Sequence, residues 1–331
     1  MGWGTERGSL QWVGAPKHDQ MYSLSQLRRG LSRGLSNPSF LGRELNRLYH
    51  RRGYTREYNT AGVDVMAEDW DTLVVLDACR YDLFEERSTL PGRLERRVSR
   101  GSHTREFLRG NFSGRTLEDT VYVSASPQLA RLKDELDVTF HDVVDVWAED
   151  GWDESVGTVR PETTTDYALQ AHRDYPNKRI IVHYLQPHYP FLDADERLNV
   201  RTFGGEDDAL DVWEALYQDH LDVPRELVRE AYEHNFDAVV PSVERLLSAV
   251  DGTVVVTADH GNMLRERAKP VPVREWGHPP GIYTDALVSV PWLVVEGEQR
   301  RRITAEASTE PTESEATAVV QDRLAQLGYA E

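Results

Sequence analysis

The chain carries one cysteine, Cys79, in 331 residues. No internal disulfide and no paired-cysteine zinc site can be built from it, and a reducing, cytoplasmic setting is the simplest expectation. Lysine is almost as scarce. Lys17, Lys133, Lys178 and Lys269 are the only four among 38 basic residues, and 56 acidic residues oppose them for a formal charge of −18. Most of such a surface repels a phosphate backbone, so nucleic acid is excluded as an expected partner. Abundant carboxylate with little lysine matches the composition of proteins from extremely halophilic archaea, which speaks to habitat and not to function. Long apolar runs are missing too. The first thirty residues lack the continuous apolar core of a signal peptide, and no later run reaches the roughly 20 residues of a membrane-spanning helix. A soluble protein is expected.

A core is nevertheless available, since 39% of the residues are hydrophobic. Met1 to about Glu68 is polar, Arg-rich and irregular. This span, 1–68, is expected to be an N-terminal extension packing on the core, with the Arg-rich stretch from Arg28 to Arg52 a solvated helical arm. Residues 69–331 form the main domain. Continuous apolar runs at Asp71–Leu76, Val121–Val123, Arg179–Tyr184, Thr253–Thr257 and Val290–Val295 predict strands buried on both faces. Helical spacing follows from Arg105, over Pro161–His172, and along Pro224–Val250. Strands alternating with helices predict an α/β fold, a mostly parallel central sheet flanked by helices on both faces. Towards the C-terminus, Glu298–Ser314 reads as a loose charged linker. Pro311, Thr312 and Glu315 then suggest a capping box, and a docking helix carries Ala316, Val320, Leu324 and Leu327 up to a stop at Gly328. The acidic stretch Asp193–Asp211 reads as a mobile loop.

In open α/β sheets ligands bind beyond the carboxyl ends of the strands. Two predicted strands end in metal-ligand residue types: Asp77 in VVLDACRYD, and Asp259 with His260 in TVVVTADHGN. Two carboxylates and an imidazole suit one divalent cation, with Mn, Zn, Ca and Mg all compatible. In HYLQPHYPF, His183 reads as a core histidine inside a strand, whereas His188 sits between two prolines beyond the strand end, better placed to face a ligand. His278 lies in the Gly- and Pro-rich loop of EWGHPPGIY.

The order of these strings, VVLDACRYD, HYLQPHYPF, TVVVTADHGN and GHPPGIYTDALVSVPWLVV, resembles the sulfatase branch of the alkaline phosphatase superfamily. The resemblance runs from about Asp71 to the end. It implies an alkaline phosphatase-like catalytic domain over 69–331 that cleaves or transfers a phosphate or sulfate ester, with Asp77, Asp259 and His260 holding the metal. It also implies a nucleophile between Asp77 and His188, in VSRGSHTREFL. Ser102 is the first choice, because the Glu106 and Phe107 that follow are similar in offset to those of lipoteichoic acid synthase-type phosphotransferases. Thr104 comes second and Ser99 third. His188 and His278 are expected to serve proton transfer or transition-state charge, or a second metal if one binds. Arg80 and Arg105 are candidate clamps for the ester oxygens. Cys79 lacks the Cys-x-Pro-Ser-Arg context of oxidised sulfatases, which moves the expectation from sulfate towards phosphate and leaves Cys79 a small buried hydrophobe. Gln186 stands where two-metal members place an aspartate, so one ion is expected. The implied partner is a small-molecule or glycan ester. The competing readings are a phosphodiesterase or phosphomutase of a neighbouring branch, and a catalytically silent relative in surface-glycan synthesis.

Overall fold

A computed structural model describes residues 38–148, 151–198, 210–306 and 317–327. The elements run α1 (Pro38–His50), β1 (Thr72–Leu76), α2 (Tyr81–Arg87), β2 (Arg93–Val98), α3 (Thr104–Phe112), β3 (Thr116–Ser124), α4 (Gln128–Leu136), β4 (Thr139–Asp145), β5 (Trp152–Asp153), β6 (Thr158–Val159), α5 (Pro161–Asp174) and β7 (Arg179–Tyr184). They continue with α6 (Val212–Tyr217), α7 (Arg225–Ala249), β8 (Val254–Ala258), β9 (Met263–Arg267), β10 (Arg274–Gly277), α8 (Asp285–Val288), β11 (Ser289–Val295) and α9 (Thr317–Gln326). The Pro311–Thr312–Glu315 capping box, the Gly328 stop and the first 37 residues of the expected extension lie outside the described residues, as does 199–209 of the acidic stretch. Among the described residues no helix is long and apolar enough to cross a membrane.

Seven strands form one sheet in the order β2-β11-β8-β1-β7-β3-β4. The five from β8 to β4 are parallel to one another, and β11 runs against both of its neighbours. The α/β fold with a mostly parallel sheet is therefore as expected. Every residue of β1 and β8 is buried, which is why their sequences read as unbroken Val and Leu rather than as an alternation.

Register assigns the two faces. Leu73 pairs with Ile181 on one side and Val255 on the other. With Val75 these residues join one cluster that also holds Phe107, Leu108 and Phe112 of α3 and Leu129 and Leu132 of α4. The other face is covered by α5 and α7, whose packing is marked by Thr165: its hydroxyl reaches Tyr184 OH at 2.7 Å and donates to Ser242 O at 3.1 Å.

Within this sheet two strands escaped the sequence reading, β2 and β4. Both are edges of the sheet. In β2, RLERRV, the charges belong to a solvent-facing edge, where arginine and glutamate discourage pairing with other chains. The boundary expected at residue 68 falls inside a compact unit that begins at Gly42. Val65 and Met66 lie in the sheet's core cluster, and Asn59 N–H donates to Arg100 O. The expected loose linker also needs correction over its first part, because the segment 298–306 is tied down. Arg300 Nε donates to Asp71 at 2.5 Å, Arg301 reaches His172 at 2.7 Å, and Lys178 Nζ donates to Thr304 O at 3.0 Å. Asp71 is 1% exposed and also receives Thr253 N–H. Gly252, at φ +97°, makes this close approach possible, since a Cβ there would stand 2.6 Å from the Asp71 carboxylate.

Candidate active site

The sheet's parallel strands present their carboxyl ends to one edge, and the chemistry gathers there. Asp77 follows β1 and Asp259 follows β8, its neighbour, while His183 lies one residue from the end of β7 on the other side of β1. In the register Val75 faces His183 and Thr257. The two-residue period of a strand therefore carries Asp77, His183 and Asp259 to the same face, the one covered by α3. Ligand atoms of these three buried residues all lie within 4.8 Å of one another. His260 joins them, its Nε2 3.5 Å from Asp77 Oδ1 and 3.3 Å from Asp259 Oδ2. Asp77, Asp259 and His260 are each 0% exposed, and His183 is 1% exposed.

Backbone groups orient this cluster. Asp259 Oδ1 accepts Ala78 N–H at 3.0 Å and His260 N–H at 2.8 Å, which turns Oδ2 towards the cluster. Ala78 adopts φ +60°, and its carbonyl accepts the buried Tyr232 hydroxyl, whose oxygen in turn receives Arg80 N–H. Ser99, the third choice of nucleophile, donates to the Asp259 carbonyl and so braces the turn. His260 Nδ1 lies 2.8 Å from Gly261 O; as a donor there, it leaves the Nε2 lone pair facing inward. His183 is fixed in the same manner by Tyr122 OH at 2.8 Å from Nδ1. Among the described residues, Asp259 Oδ2 and His183 Nε2 have no hydrogen-bond partner despite burial. Buried polar atoms without partners are costly. A cation held between two carboxylates and two imidazoles satisfies them, so the donor set fits a divalent ion.

The two leading hydroxyls part company. α3 begins at Thr104, with His103 as its cap accepting Arg105 N–H on Nδ1. Thr104 Oγ1 lies 3.2 Å from His260 Nε2, at the edge of the cluster. Ser102 faces elsewhere: its hydroxyl donates towards Glu106 Oε2 at 2.9 Å and Pro279 O at 3.3 Å, and accepts Gly281 N–H at 3.0 Å. Glu106 also accepts Ser102 N–H at 3.0 Å, one residue ahead of the His103 cap. The Glu-Phe spacing that favoured Ser102 is a local contact here, and of the two residues it is Thr104 that lies beside the cluster. Burial raises the Glu106 pKa, with the Ser102 contacts opposing it.

The histidines form a second layer. His188 and His278 approach through their Nε2 atoms at 3.4 Å, and the His278 ring centroid lies 4.8 Å from that of His260. His103, absent from the sequence reading, stacks at 6.1 Å on His260 and tilts at 5.2 Å to His278. Its only sequence signal was the string SHTRE, where a cap and a ligand-facing ring look alike. Burial pushes His183 and His188 down to about 4 and holds His103 and His278 well below the usual imidazole range, so these rings are neutral. Asn235 of α7, also missed, positions the His188 loop by donating to the carbonyls of His188 and Pro190 at 2.9 and 3.0 Å. Gln186 donates to Val159 O at 3.0 Å.

The candidate clamps also divide. Arg105 lines a cavity of about 240 Å³ that shares His103 and His278 with the cluster. Arg80 is bound instead by Asp82 at 2.5 Å and Glu266 at 2.7 Å, an ion-pair anchor of the turn after β1. Cys79 is fully buried, and burial raises its thiol pKa.

No protein-family model matches the sequence, and no curated protein is significantly similar to it. Solved structures are similar in fold. One is a C-terminal periplasmic domain, EcEptC from Escherichia coli in complex with Zn, at 14% identity and TM-score 0.44 over 71% of this chain and 75% of that one. Another is a Vibrio parahaemolyticus protein in the alkaline phosphatase superfamily, at 10% identity and TM-score 0.39 over 86% and 75%. The superfamily expected from the sequence is represented among these likenesses. The lipoteichoic acid synthase LtaP from Listeria monocytogenes is a third, at 11% identity and TM-score 0.35 over 70% and 66%. At such identities the likeness concerns the fold and not the reaction.

Proposed function

We propose that the chain is an alkaline phosphatase superfamily enzyme that cleaves or transfers a phosphate or sulfate ester, with phosphate favoured and Thr104 as nucleophile. The observation that carries this reading is the convergence of Asp77, His183, Asp259 and His260 on one buried point with the Thr104 hydroxyl 3.2 Å from His260. These four residues would hold one divalent ion, which when bound supplies positive charge to acidify a hydroxyl and to offset the ester oxygens. Thr104 adds its oxygen to phosphorus as the ester bond breaks, and its proton ends on the departing alcohol. Water or an acceptor alcohol then attacks the esterified Thr104. The new oxygen–phosphorus bond forms as the Thr104 Oγ1–phosphorus bond breaks, and the attacking group's proton passes by way of His278 or His188 to Thr104 Oγ1, which restores the hydroxyl. Arg105, beside the start of α3, faces the ester's negative charge. Sulfate is disfavoured because Cys79, which is fully buried, lacks the Cys-x-Pro-Ser-Arg context of oxidised sulfatases. The single buried thiol also accords with a reducing compartment.

Parallel assays of aryl phosphate monoesters, aryl phosphate diesters and aryl sulfates test this, in high salt with Mn, Zn, Ca or Mg added in turn. Turnover of a phosphate ester that depends on added metal and exceeds aryl sulfate turnover by about 10-fold or more is expected. Turnover of sulfate alone would refute the phosphate preference, and no turnover of any ester would refute the enzyme reading.

A further inference from the structure

The cavity that adjoins His103 and His278 carries features that the catalytic cluster does not use. Gln128, the first residue of α4, is 0% exposed and lines it, yet neither its amide nitrogen nor its amide oxygen has a hydrogen-bond partner among the described residues. Trp213, at the start of α6, is 6% exposed and lines the same cavity, and its indole N–H is likewise unsatisfied among the described residues. A buried amide offering both a donor and an acceptor, on the wall of the same cavity as a buried indole donor, costs free energy unless a ligand meets it.

The walls narrow the choice of ligand. Trp213 and Trp276 give the cavity two large aromatic side chains. Gly277, at φ +67°, lets Trp213 sit flush, since a Cβ there would lie 2.5 Å from the indole. The carboxylates of the lining are already engaged: Asp211 caps α6 by accepting Glu214 N–H at 2.8 Å, and Glu214 pairs with Arg43 at 2.9 Å. That arrangement does not suit a cationic headgroup. Volume adds a limit, because about 240 Å³ falls below the roughly 300–1,000 Å³ of sites for drug-sized ligands and suits a single ring.

We propose that this cavity binds the non-reacting part of the substrate, and that this part is a sugar ring bearing the ester. Its hydroxyls pair with the Gln128 amide and the Trp213 indole N–H, and its apolar face lies on the tryptophan side chains. Gln128 and Trp213 are thus specificity residues, and binding at the ring positions the ester beside Thr104. The inference rests on the ester chemistry proposed above and names its substrate class.

Calorimetric titration of metal-loaded Thr104→Ala protein reads this without turnover. The probes are glucose 1-phosphate, glucose 6-phosphate and N-acetylglucosamine 1-phosphate, against inorganic phosphate and phosphocholine. At least one sugar phosphate is expected to bind about 10-fold or more tighter than inorganic phosphate, the scale of one or two good hydrogen bonds. Adding Gln128→Leu, or separately Trp213→Phe, which keeps the ring packing and removes only the N–H donor, is expected to erase that margin and leave phosphate binding unchanged. Equal binding of all probes, tighter binding of phosphocholine, or a margin that survives both substitutions overturns the proposal. Loss of the ester reading would show separately, as aryl phosphate turnover that does not depend on Thr104 in the otherwise wild-type protein.

Discussion

Thr104→Ala is expected to lower kcat/KM for an aryl phosphate by about 10³-fold or more, the scale on which removing a nucleophile acts. Thr104→Ser should recover part of that loss, because it restores a hydroxyl at the start of α3. Ser102→Ala should behave in the opposite way. Its hydroxyl is engaged by Glu106, Pro279 and Gly281, not by the acidic cluster. Activity should stay within about 10-fold of wild type, while stability falls by about 1–3 kcal/mol as buried partners lose their contact. Steady-state kinetics with urea denaturation of both variants separates the two. A silent Ser102→Ala beside an active Thr104→Ala would return the assignment to Ser102.

The second large effect concerns the ion. Stripping the protein with a chelator should abolish ester turnover and lower the melting temperature, and readdition should restore both. At free metal about 100-fold above Kd, linkage predicts roughly 2.7 kcal/mol of added stability, several degrees for a domain of this size. Asp77→Asn separates the electrostatic origin of this effect from a general loss of structure. Asp77 and Asp259 lie in one buried cluster whose ligand atoms are within 4.8 Å of one another. Two carboxylates so placed repel and lack solvation unless a cation lies between them. Neutralising one should therefore leave the metal-free protein as stable as wild type or more so, while the metal-induced rise in melting temperature shrinks and turnover is lost. A stripped variant that is much less stable than stripped wild type would indicate that Asp77 serves the fold and not an ion.

Much of the central sheet was legible because its strands are buried on both faces. Runs such as TLVVL and VVVTA have no other use in a chain this polar, and an aspartate directly after each marks the strand end. Edge strands gave no such signal. RLERRV of β2 reads as a charged loop until β11 is known to lie beside it. His183 was assigned to the core because its part in the cluster depends on register: only the pairing of Val75 with His183 and Thr257 shows that Asp77, His183 and Asp259 share a face. The choice between Ser102 and Thr104 turned on where the helix begins. Thr104 opens the helix whereas Ser102 lies two residues earlier, ahead of the cap, and sequence spacing does not show where the helical backbone starts. Arg80 and Arg105 looked equivalent as arginines near strand ends, and their different fates follow from Asp82 and Glu266, the second of which is far away in the chain. Gln128 and Trp213 left no signal at all, since their buried polar atoms gain meaning from the partners they lack among the described residues.

Anomalous diffraction from crystals grown with Mn or Zn tests the central claim most directly. A single strong peak enclosed by Asp77, His183, Asp259 and His260 is expected, with Thr104 Oγ1 turned towards it. A peak elsewhere in the molecule, or none at saturating metal, would contradict it.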